Sequence, residues 1–93
     1  MNGAEFVELL NEAIEVASNL IVTANEDGSS WMAEDARMAL DNFQRIKETL
    51  ISGELPPSNG AGLGITRALS EWAPEALYAA GKAVEDFYRV KWN

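Results

Sequence analysis

Apolar residues recur along the first quarter of the chain at alternating spacings of three and four, at Val7, Leu10, Ile14, Ala17, Ile21 and Ala24. That period predicts a helix over about residues 4–24. Phe6, Leu9, Ala13, Val16 and Leu20 widen the stripe to about half the helix circumference. A face so broad needs two neighbours, either two helices of the same chain or one helix and a second copy of the protein, a homodimer through this first helix.

Asn25-Glu26-Asp27-Gly28-Ser29-Ser30 is a turn by composition, with Gly28 suited to positive φ and Ser29 or Ser30 suited to cap the next helix. The second helix is expected over about 30–52, with Met32, Ala36, Ala39, Leu40, Phe43, Ile46 and Leu50 on its core side and an Asp41–Arg45 pair on the other. Gly53 is a natural stop. Residues 53–64 hold Pro56-Pro57 and three further glycines without periodicity and read as a long linker. Ile65, Ala68, Leu69 and Trp72 then predict a short third helix over about 65–73.

Pro74 disfavours helical backbone at Ala73 and suits a first helical position, so a fourth helix is expected over about 74–91. Leu77, Ala80, Val84, Phe87 and Tyr88 form its apolar side, and its many small residues permit close approach of a neighbour. No run alternates as a strand would. The expected fold is therefore all-α, one small antiparallel bundle of about four helices spanning residues 1–93.

Composition narrows the chemistry. The chain has neither Cys nor His, so disulfides, N/S zinc sites and Cys–His or Ser–His–Asp nucleophiles are ruled out. Four glutamates on one helix do not make the carboxylate-bridged di-metal pattern, which needs Glu-x-x-His. No spacing of carboxylates, tyrosines, Lys82 or arginines selects an acid–base pair. A non-enzymatic protein with no cofactor and no metal is the expectation. No basic segment precedes an apolar one at the N-terminus, and no apolar run reaches the roughly 20 residues of a membrane span. A cytoplasmic location without membrane attachment is therefore expected.

The net charge of −8 arises entirely in residues 1–36, which carry eight acids and no Lys or Arg, while residues 37–93 hold seven of each sign. Glu5, Glu8, Glu12 and Glu15 fall within about 80° of arc on the first helix, an acidic stripe beside its apolar face. Such a surface repels phosphate backbones, disfavouring direct nucleic-acid binding and favouring a basic protein partner. The expected contact residues are Glu5, Glu8, Glu12 and Glu15, with Glu26 and Asp27 in the turn after that helix. A solvated face with no partner is the competing account of the same charges. Trp31, outside the main stripe of the second helix, and Trp92, one residue from the end, are the tryptophans expected at a partner or dimer contact. Trp72 fits a core position. Gly60-Ala61-Gly62-Leu63-Gly64 leading to Arg67 reads as a flexible connection rather than an anion cradle, because no strand precedes it and no P-loop Lys-Ser/Thr comes after it.

Ala4-Glu5-Phe6-Val7-Glu8-Leu9-Leu10 resembles the first-helix segment of the colicin-type nuclease immunity proteins, and Gly64-Ile65 through Trp72 is loosely similar to their final helix. Those are acidic four-helix proteins of similar length that inhibit basic nucleases, so the resemblance implies a helical inhibitor. Their Tyr-Tyr-Pro toxin-contacting motif has no counterpart between Leu50 and Leu63, and the second helix is longer here. The resemblance therefore covers size, charge and fold class and assigns no residue a role. Two functions are open: an inhibitor or immunity/antitoxin-like protein that masks a basic surface, or a helical assembly module, homodimeric or docked in a larger complex.

Overall fold

The computed structural model describes residues 3–28, 30–58 and 74–92, without the side chains of Ser30 and Trp31. Among them lie three α-helices, α1 (Gly3–Asp27), α2 (Ser30–Ile51) and α3 (Glu75–Lys91), and no strand. The fold of the described residues is all-α. The predicted third helix over 65–73, with Trp72, and the glycine-rich segment before it lie outside the described residues. So does Ser29, one of the two candidate caps.

Helix α1 begins close to the predicted start and continues through the acidic residues expected in a turn, ending at Asp27. Gly28 follows with a φ of 74°, the left-handed conformation that Gly adopts at least cost, and α2 opens at Ser30. Gly53 terminates α2 as its sequence suggests, with φ 78°. Its N–H donates to the Leu50 carbonyl at 3.1 Å and that of Glu54 to Thr49 at 3.0 Å, the two bonds of a Schellman cap.

Helix α1 is the centre of the structure, with α2 and α3 both packed on it. The two neighbours that its broad apolar face demands are therefore supplied within the chain. Phe6, Leu10, Ala13, Ala17 and Ala24 form its buried line, while Val7, Leu9, Ile14, Val16, Leu20 and Ile21 flank that line half-buried. On α2 the buried line is Ala33, Ala36, Ala39, Phe43 and Leu50, with Met32, Leu40 and Ile46 beside it. Small residues are frequent on both buried lines, a composition that permits close approach of helix backbones. The expected Asp41–Arg45 pair is not formed. Ion pairs join Asp86 to Lys82 at 2.8 Å and to Arg89 at 3.0 Å on the exposed side of α3.

Residues 54–58, part of the expected long linker, have no regular secondary structure and lie as a strap across the C-terminal end of α3. Leu55 packs on the core, Ser58 is buried, and four hydrogen bonds tie the strap to Tyr88, Arg89 and Trp92. Trp92 corrects a second expectation. Expected at a partner or dimer contact, its ring is instead buried within the chain, edge-on to Phe6 at 5.3 Å between centroids, and its indole N–H donates to the Leu55 carbonyl at 3.4 Å. It lies four residues after Tyr88 on the buried side of α3, so the apolar stripe of that helix continues through it.

Candidate functional site: an acidic ridge

Opposite the buried line of α1 lies its acidic face. Glu5, Glu8, Glu12 and Glu15 are all exposed, and at 100° per residue they point roughly 150° away from Phe6, Leu10 and Ala13. Because α1 is unbroken as far as Asp27, the same outward line continues through exposed Asn19 to exposed Glu26. Glu5 to Glu26 spans about 30 Å at 1.5 Å per residue, most of the 41 Å long axis of the molecule. The charges form a ridge, not a cluster.

Extension of α1 changes the setting of Glu26 and Asp27. Both belong to its last turn, which contains no basic residue. The helix macrodipole places roughly half a negative charge at that terminus, so the two carboxylates add to it instead of neutralising it. Among the described residues no Lys or Arg forms an ion pair with Glu8, Glu12, Glu15, Glu26 or Asp27. By contrast, the basic residues of α3 are engaged locally. The Lys82 ammonium is held above its ordinary pKa, chiefly by its hydrogen bond to Asp86, and the Asp86 carboxyl is held below its own, chiefly by the same bond.

The chemistry available to the ridge is electrostatic. No group of three or more Asp or Glu side chains among the described residues converges as a metal site. Two surface depressions among the described residues are open and lie away from the ridge: one is bordered by Asn25, Ala33, Glu34 and Arg37, the other by Ile14, Gln44, Lys47, Glu48 and Ile51. Neither encloses a small molecule. Trp31 lies in the first turn of α2, but its side chain is outside the described residues. Of the expected contact residues, the structure thus brings Glu5, Glu8, Glu12, Glu15 and Glu26 into one outward line, sets Asp27 at its end, and removes Trp92 to the core.

No helix among the described residues is long and apolar enough to cross a membrane. No family model, curated protein or solved structure matches the chain.

Proposed function

We propose that this protein is a non-enzymatic acidic binding domain, cytoplasmic, that masks a basic surface on a protein partner in the manner of an inhibitor, immunity protein or antitoxin. The reading includes the finer form of the fold, an antiparallel bundle of about four helices with α1 presenting its charged side to the partner. One observation carries it: five exposed glutamates stand in a single outward line along α1, with no opposite charge on that helix. Like charges three and four residues apart cost a few tenths of a kcal/mol per pair, a cost that recognition of a basic surface would offset. The field of such a ridge steers a basic partner and accelerates encounter at low salt.

Affinity capture from native lysate supplies the partner, and charge reversal tests the surface. Glu8→Lys with Glu12→Lys is expected to slow association about tenfold or more at low salt and to flatten its salt dependence, with helicity unchanged. Equal affinity and equal salt dependence for the double variant and the parent would make the ridge a solvated face. The inhibitor reading would then fall in favour of an assembly module.

A further inference from the structure

The strap and the end of α3 satisfy each other's buried polar groups. The Tyr88 hydroxyl donates to the Pro56 carbonyl at 2.9 Å, and the Trp92 indole N–H donates to that of Leu55 at 3.4 Å. In return Ser58 caps the helix: its backbone N–H donates to the Trp92 carbonyl at 2.6 Å and its hydroxyl to that of Arg89 at 3.0 Å. A helix ordinarily finishes its carbonyls with residues just beyond its C-terminus. Here the cap comes from 31 residues upstream.

We propose that the strap and the C-terminal turns of α3 are a latch, one conformational unit that opens and closes together while the α1–α2 hairpin stays folded, and whose opening uncovers the aromatic core at the start of α1. Lifting either side alone strips partners from buried donors on α3 and carbonyls on the strap alike, so partial detachment loses as much hydrogen bonding as complete detachment. The packing defines where the unit separates. Helix α3 packs on α1 and meets α2 only marginally, whereas α1 and α2 pack along much of their length and are joined by a short reversal. Sub-global opening proceeds along such lines of weakest packing.

What the latch covers is specific. Phe6 is fully buried, and the rings around it are Phe87 at 5.0 Å, Trp92 at 5.3 Å and Tyr88 at 6.3 Å, all from α3 and its C-terminal cap. These three rings, the ones that the described residues place around Phe6, therefore leave with the latch. The inference is independent of the acidic ridge, which faces the other way.

Native-state hydrogen exchange on the full chain tests it. The amides of Ser58, Tyr88 and Trp92 are expected to share one opening, faster than that of Ala13, Ala17, Ala39 and Phe43. Ser58→Ala should accelerate exchange of the Tyr88 and Trp92 amides about tenfold while leaving the α1–α2 amides unchanged. Tyr88→Phe, which keeps the ring and removes only the hydroxyl, should do the same to Ser58 and so serves if the first variant does not fold. Exchange of α3 only with the α1–α2 core, or acceleration of the strap without α3, would overturn the latch.

Discussion

The two ends of α1 are packed by opposite means. At its start, Phe6 is surrounded by the large rings of Phe87, Tyr88 and Trp92, and the polar tips of the last two find acceptors on the strap. Towards its other end the buried residues are Ala17 and Ala24, facing a helix whose own buried line there is Ala33, Ala36 and Ala39. The aromatic end is stabilised by area removed from water and by ring contacts. The alanine end is stabilised by close backbone approach and dispersion, with little area per residue. One end should therefore be sensitive to lost volume and the other to added volume.

Phe6→Ala is expected to show the largest effect. Truncating a fully buried Phe costs about 3–5 kcal/mol through lost transfer energy and a residual cavity. Three ring partners are affected together, which places this site at the upper part of that range. Urea unfolding followed by circular dichroism measures it. A loss below about 1 kcal/mol would mean that the aromatic end contributes little and would remove the contrast.

The same contrast explains how much of the fold is legible in the sequence. Period alone places the three described helices, and Gly53 marks the end of α2, because each depends on local backbone preference. Which residues are most buried is less legible. Hydrophobicity favours Val7, Ile14 and Ile21, but the most buried positions go to Ala13, Ala17 and Ala24, while those branched residues are half-buried. The strap is illegible for another reason: Leu55-Pro56-Pro57-Ser58 has no period, and its structure comes from bonds to residues more than thirty positions away. The signal that could have found it is Trp92, four residues after Tyr88 on the buried side, a buried indole that needs an acceptor. The acidic ridge is readable as a stripe of four, but its continuation to Glu26 depends on where α1 ends.

The alanine end gives the intermediate effect, with the opposite sign of volume change. Ala36 has no exposed surface, so Ala36→Leu must displace the groups that cover it or force strained rotamers, at about 1–3 kcal/mol. Ala83→Leu on the exposed side of α3 is the control, expected to change stability by no more than about 0.5 kcal/mol. If the two substitutions cost the same, the alanines of α2 are not at a closest approach, and the ends of the molecule do not differ as argued.

The smallest effect belongs to Gly53, where α2 gives way to the strap. Space does not limit this position: a Cβ built there meets no heavy atom within 4 Å. Conformation does, because φ is 78° and an L-residue in the left-handed region loses roughly 1–2 kcal/mol. Reduced freedom of the unfolded chain returns about 0.4–1 kcal/mol, leaving a net loss of about 1 kcal/mol for Gly53→Ala. Asn tolerates the left-handed region better than Ala, so Gly53→Asn should lose less. Thermal unfolding of the pair separates the causes. A smaller loss for Asn assigns the cost to backbone angle. An equal or larger loss for the bulkier Asn would instead assign it to a contact made by the side chain, and the strap would then be held by packing at its root as well as by its bonds to α3.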